Sequence, residues 1–141
     1  MGRPVLRRDG SHLALGRQGE EAACGLLRRA GLRILDCNWR AGRLELDIVC
    51  QDGATVVFVE VKTRSSAERG GPEGALTPAK QRSLSRAAQA WLAAHGAWAS
   101  PCRFDVVCLV ARDGTFSAEH YRHAFDFAPS LDRRHAAWQP W

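Results

Sequence analysis

Residues 44–64 read LELDIVCQDGATVVFVEVKTR. Residues 43–50 and 55–63 are runs of apolar and polar positions with strand character, and Gln51-Asp52-Gly53-Ala54 between them is a hairpin signature. With Asp52 and Gly53 as the two turn residues, Val49 faces Val56, Asp47 faces Phe58 and Glu45 faces Glu60. Side chains alternate with period two along a strand. Glu45, Asp47, Glu60 and Lys62 then share one face, and Leu44, Leu46, Ile48, Val57, Val59 and Val61 share the other. One face is thus wholly apolar. The other carries three carboxylates and a lysine beside Val49, Val56 and Phe58. Like charges facing each other destabilise a sheet, and an unpaired buried carboxylate costs more. Lys62 offsets one charge. A divalent cation with hard oxygen ligands, Mg²⁺ above all, would offset the others. A solvated sheet face with ordinary salt bridges explains the same pattern, and alternation alone does not choose between them.

Working outward, residues 16–30 read as a helix. Ala22, Ala23, Leu26, Leu27 and Ala30 form its apolar stripe, and Gly31 stops it. On helical spacing Glu20 lies on the side of Ala23, Cys24 and Leu27, at the edge of the buried stripe. A first-turn acid favoured by the helix dipole is the plainer account of it. Leu32 to Trp39 reads as a short strand leading to a turn at Ala41-Gly42. Residues 65–78, with Gly70, Gly71, Pro72, Gly74 and Pro78, read as a loop. Thr77 is placed to cap a second helix that opens with Pro78 and runs to about His95. Ala87, Ala90, Trp91 and Ala94 are its expected buried face. Residues 102–111 read as a further central strand, Asp113-Gly114 as a turn and residues 116–123 as a weaker strand. Asp105 lies between aromatic and apolar neighbours, where an arginine partner would satisfy it. The hairpin is antiparallel and the second helix can make a crossover, so the expected fold is α/β, a mixed sheet flanked by helices.

The 141 residues suit one domain, expected over residues 16–128, with a basic tail at 1–15 and a second tail at 129–141 carrying Trp138 and Trp141. Hydrophobic residues are 45% and charged residues 25%, ordinary globular usage that argues against disorder of the whole chain. No apolar run reaches the ~18 residues of a membrane span, and the first residues lack the apolar core of a secretion signal. Five cysteines without CxxC spacing point to a reduced cytoplasmic protein, not to a disulfide framework or a zinc site. The net charge of +5 suits a polyanionic partner without demonstrating one. Among 20 basic residues lysine occurs only at Lys62 and Lys80. These two mark positions where arginine, which cannot readily lose its proton or act as a compact point charge, would not serve.

In order, Gly16-x-x-Gly19-Glu20-x-x-Ala23, Glu45-x-Asp47, the hairpin and Val59-Glu60-Val61-Lys62-Thr63-Arg64 resemble the PD-(D/E)xK nucleases. The pattern looks most like the YraN family, small bacterial proteins similar in pattern to the Holliday junction resolvases. The resemblance runs from Gly16 to about Phe127. It takes in Pro72-Glu73, Thr77-Pro78-x-Lys80-Gln81, Arg103-Phe104-Asp105-Val106-Val107 and Ala124-Phe125. It departs at Leu44, where the family usually has Gly. The resemblance implies a restriction-endonuclease-like fold and metal-dependent phosphodiester hydrolysis in DNA, on branched or single-stranded forms. It implies that Asp47 and Glu60 hold Mg²⁺ or Mn²⁺. Lys62 would orient or deprotonate the attacking water or meet charge growing on the phosphate, and Glu20 would reach the metal directly or through a water. Lysine suits this work because burial can lower its pKa. Glu45 takes a supporting place. Arg64, Lys80 and Gln81 are candidate nucleic-acid contacts, the last two near a helix start; a solvated helix start is an equal account of them.

Two other functions stay open at this point: a nucleic-acid-binding module without turnover, and a scaffold whose tryptophan tail meets a protein partner. A fold hosts several functions, so the step from family to activity is analogy. Nothing here identifies a two-fold interface, and a homodimer is open only because junction-cleaving relatives are dimers.

Overall fold

A computed structural model of the chain describes residues 11–65 and 76–126. Residues 1–10, 66–75 and 127–141 lie outside the described residues, and with them most of the expected tail at 1–15, most of the expected loop at 65–78 with Pro72-Glu73, and the expected tail at 129–141 with Trp138 and Trp141. The elements run α1 (Ser11–Arg29), β1 (Arg33–Ala41), β2 (Leu44–Asp52), β3 (Thr55–Ser65), α2 (Pro78–Ala94), β4 (Cys102–Arg112) and β5 (Thr115–Phe125). The first helix starts at Ser11, five residues before the expected start at Gly16.

Local chemistry sets the helix ends. Gly31 ends α1 at φ 92, with Gly31 N–H donating to Arg28 O and Leu32 N–H to Leu27 O, a Schellman closure that satisfies the last carbonyls. Thr77 caps α2, its hydroxyl accepting from Lys80 N–H at 3.2 Å, and Pro78 takes the first helical position.

The five strands lie in sequential order in one mixed sheet. β1–β2, β2–β3 and β4–β5 are antiparallel; β3 and β4 are parallel, with α2 as the connection between them. This is the expected α/β architecture. Helix α1 covers one face, where Ala23 and Leu27 join a core of Ile48, Cys50, Val57, Val59, Val107 and Leu109. Helix α2 covers the other, where Leu84, Ala88, Trp91 and Leu92 pack on Leu46, Val49, Val56, Phe58 and Phe104. Phe58 meets the Trp91 ring edge-on at 5.9 Å between centroids. The buried face of α2 is Leu84, Ser85, Ala87, Ala88, Trp91 and Leu92. Ala94 is exposed and Ala90 only half-buried, so the helix is rotated from the expected face, and the larger Leu84 and Leu92 go inside.

Two expectations about the hairpin are corrected. The turn residues are Gly53 and Ala54, closed by Asp52↔Thr55, so Val49 faces Phe58 and not Val56. Gly53 takes φ 59, the positive value such a two-residue turn requires at its first position. Nor is one face of the hairpin wholly apolar and the other charged. The crossover through α2 buries the second face as well, as is usual where parallel strands sit inside a sheet. The alternation also breaks once: Leu46 and Val49 lie on the α2 side, whereas Ile48 and Cys50 lie on the α1 side. The break falls at Asp47. On the adjoining strand, between the pairs Cys37↔Ile48 and Trp39↔Leu46, Asn38 has φ 51.

Candidate active site

The last β2–β3 pair is Ile48↔Val59, and Asp47 and Glu60 come one step beyond it. There the two strands part. Val61 N–H donates not to a carbonyl of β2 but to Asp47 Oδ2, at 2.9 Å. The parting sets the Asp47 carboxylate into the gap between strands. Glu60 points toward α2 among Leu46, Phe58, Leu84 and Phe104, with its side chain 11% exposed. Burial in these surroundings and, next, the Asp47 carboxylate beside it push its carboxyl up to about 8, against the pull of Lys80.

Lys80 Nζ pairs with Glu60 Oε2 at 3.2 Å. Desolvation opposes the charge on Lys80, yet Glu60 and then Asp47 hold its pKa above the ordinary value. One lysine thus faces two carboxylates. Lys62, two residues past Glu60 and half-buried, forms no ion pair among the described residues. The sequence pointed to both lysines, but that Lys80 takes the position beside Glu60 depends on the docking of α2, which no local pattern encodes.

Glu20 lines a cleft on the α1 side together with Arg17, Cys24, Cys37, Asn38 and Asp47. Gly19, just before it, lets α1 approach β3 closely: a Cβ there would overlap the Thr63 side chain. The structure therefore brings Asp47, Glu60 and Lys80 together and sets Glu20 on the cleft that Asp47 also lines. It places the other candidates elsewhere. Glu45 is exposed and pairs with Arg40 at 3.4 Å. Arg64 is buried, 4% exposed, and presents no surface guanidinium. Gln81 Nε2 donates to Leu76 O at 2.9 Å, holding the chain that enters α2. Asp105 has its arginine partner, Arg103, at 3.0 Å.

Among the described residues no three histidine, cysteine, aspartate or glutamate side chains converge as a metal-holding group. Asp47 and Glu60 supply a pair of neighbouring hard oxygen donors that share the charge of Lys80. That fits Mg²⁺, which binds through one or two carboxylates and completes its shell with water and substrate phosphate. No helix among the described residues is long and apolar enough to cross a membrane.

Comparison with known proteins agrees on the family. Residues 19–109, from Gly19 in α1 to Leu109 in β4, match the uncharacterised protein family UPF0102. A UPF0102 protein of Nitratidesulfovibrio vulgaris is 50% identical over 133 residues, covering 94% of this chain and 98% of its own. One of Lawsonia intracellularis is 44% identical over 127 residues, covering 90% and 96%. One of Geobacter sulfurreducens is 45% identical over 123 residues, covering 85% and 96%. With the matched segment carrying Glu20, Asp47, Glu60, Lys62 and Lys80, the chain belongs to the UPF0102 family, the YraN family of the sequence resemblance.

Proposed function

We propose that this protein is a cytoplasmic, metal-dependent endonuclease that hydrolyses phosphodiester bonds in DNA, in branched or single-stranded forms. The observation that carries this reading is the Asp47–Glu60 pair at the parting of β2 and β3, where two carboxylates share one lysine. Asp47 and Glu60 would hold Mg²⁺ or Mn²⁺. When bound, that ion supplies neutralising charge at the scissile phosphate and an acidified attacking water. The Val61 amide fixes one oxygen of Asp47, which leaves the other for the ion. Lys62, without an ion-pair partner among the described residues, orients the attacking water or meets charge growing on a phosphate oxygen. Glu20, which lines the same cleft as Asp47, would reach the ion directly or through a water. Lys80, 3.2 Å from Glu60, balances its charge once the carboxyl ionises.

The test uses labelled linear, flapped and four-way DNA with Mg²⁺, Mn²⁺ or EDTA, comparing wild type with Asp47→Asn and Lys62→Ala. Cleavage that needs metal and disappears in both variants is expected. Metal-independent binding, equal in all three and without cleavage, would instead assign a binding module.

A further inference from the structure

We propose that Cys24 and Cys37 form a dithiol modification site that hydroperoxides oxidise to a disulfide, tying α1 to β1 at the mouth of the cleft. The two sulfurs come from different elements, 13 residues apart in sequence, and lie 3.8 Å from each other. Cys37 is exposed and Cys24 half-buried, whereas Cys50, Cys102 and Cys108 are buried. An oxidant in solvent therefore meets this pair first. A disulfide needs the sulfurs about 2.05 Å apart, so the 3.8 Å gap has to shorten, and Cys37, on the edge strand β1, is exposed. Burial and the neighbouring Cys37 push the Cys24 thiol up to about 11, so the first attack falls to Cys37.

The chemistry balances with a hydroperoxide as two-electron oxidant. Cys37 thiolate attacks the terminal peroxide oxygen; an S–O bond forms, the O–O bond breaks, and the departing alkoxide or hydroxide takes up a proton. Cys24 Sγ then attacks Cys37 Sγ. The S–S bond forms, the S–O bond breaks, and hydroxide leaves with the Cys24 proton as water. The two sulfurs are oxidised by one electron each and the peroxide is reduced. In a reducing compartment such a bond is transient and signals oxidant, the usual role of a disulfide there.

Its position suggests the consequence. Cys24 is one helical turn past Glu20 on the same side of α1, and Cys37 pairs with Ile48, next to Asp47. Glu20, Cys24, Cys37 and Asp47 all line the cleft. A Cys24–Cys37 bond fixes the spacing of Glu20 and Asp47 and narrows the opening between them. This effect on cleavage rests on the endonuclease reading; the disulfide itself does not.

The test treats the full-length reduced protein with hydrogen peroxide, then maps cysteine peptides by mass and records the thermal midpoint. The expected product has lost two hydrogens, carries a Cys24–Cys37 linked peptide, melts higher than the reduced form and reverts with dithiothreitol. Cys37→Ser abolishes the shift. In Cys24→Ser, Cys37 sulfenic acid accumulates and is trapped by dimedone. Peroxide that drives Cys37 to sulfinic acid while Cys24 stays a free thiol overturns the proposal. So does a midpoint shift of the same size in Cys37→Ser. On the DNA substrates above, oxidised wild type cleaves at least several-fold more slowly than reduced, and Cys37→Ser is indifferent to peroxide. A linked peptide without cleavage in either redox form overturns the endonuclease reading and leaves the dithiol site standing.

Discussion

Asp47 in β2 accepts a hydrogen bond from the backbone N–H of Val61 in β3, at 2.9 Å, where the two strands cease to pair. One carboxylate thus does two jobs: it replaces a missing backbone acceptor and it offers an oxygen toward Glu60. The two jobs separate by mutation. Asp47→Asn keeps an acceptor for Val61 and removes the charge. We predict stability within about 1 kcal/mol of wild type, with loss of Mg²⁺ binding and of cleavage. Asp47→Ala leaves the half-buried amide without its partner and costs about 1–3 kcal/mol. Urea unfolding with and without Mg²⁺ reads both. Equal stability of the two variants would show that the Val61 bond contributes nothing.

Glu60 predicts an inverted pH dependence. Its carboxyl stands near 8 in the folded chain against an ordinary 4.5. Between those values the folded chain holds a proton that the unfolded chain has released. Metal-free stability therefore falls as the pH rises through that window and levels off above it. A divalent ion needs the ionised form, so its binding releases the proton and tightens over the same range. Thermal midpoints measured in EDTA decline from about pH 5 to about pH 8, and Mg²⁺ recovers more of the midpoint at the upper end. Glu60→Gln removes both trends. A metal-free midpoint that rises over this range would show that Lys80 dominates the site.

What the sequence carried and what it withheld follow from the same physics. The strands at 55–63 and 102–111 were legible as apolar runs, and the start of α2 was legible in Thr77-Pro78. The register was not. Asp52-Gly53 and Gly53-Ala54 both close a two-residue turn, and burial on both faces removes the polar face that would pin the register. The observed register moves the partner of Glu60 from Glu45 to Asp47, and with it the centre of the site. Glu20 was legible because helical spacing fixes its side of α1. The Glu60–Lys80 pair and the meeting of Cys24 with Cys37 arise from how separate elements dock, which neither local propensity nor periodicity records.

Gly19 gives a prediction about that docking. Any side chain there meets Thr63, with Leu109 close behind. Alanine in a helix interior is favoured over glycine by about 1 kcal/mol. Here overpacking, typically about 1–3 kcal/mol, opposes that gain. Gly19→Ala is expected to be less stable than wild type and to cleave more slowly, because α1 must move off β3 and takes Glu20 with it. Thr63→Ala removes the atom in the way. The double variant should recover most of the stability, giving a favourable coupling in a double-mutant cycle. Additive losses would place the cost elsewhere than in the Gly19–Thr63 approach.

On the next strand, paired with Val59, sits a carboxylate of the opposite character to Glu60. Asp105 has no exposed surface. Arg103 donates to it through Nε at 3.0 Å and Nη2 at 3.2 Å, and the His123 amide at 3.0 Å. His120 Nε2 lies 2.8 Å from Oδ2 and must donate, since an ionised carboxylate only accepts. Burial alone would raise this carboxyl; the hydrogen bonds from His120, Arg103 and His123 hold it below the ordinary 3.8. Arg103 Nη1 also reaches Asp52 at 2.9 Å, joining the end of β2 to β4. Arg103→Ala strips a buried charge of its main partner, and we predict a loss of about 3 kcal/mol near neutral pH. Arg103→Lys recovers only part of it, because an ammonium cannot match the two-point geometry. A depressed carboxyl stabilises the fold above its unfolded pKa, and that contribution disappears as the pH falls through the folded value. The gap between wild type and Arg103→Ala should therefore shrink below about pH 4 in urea titrations. A gap that stays constant into acid would assign the loss to packing of the arginine stem, with the ion pair contributing little.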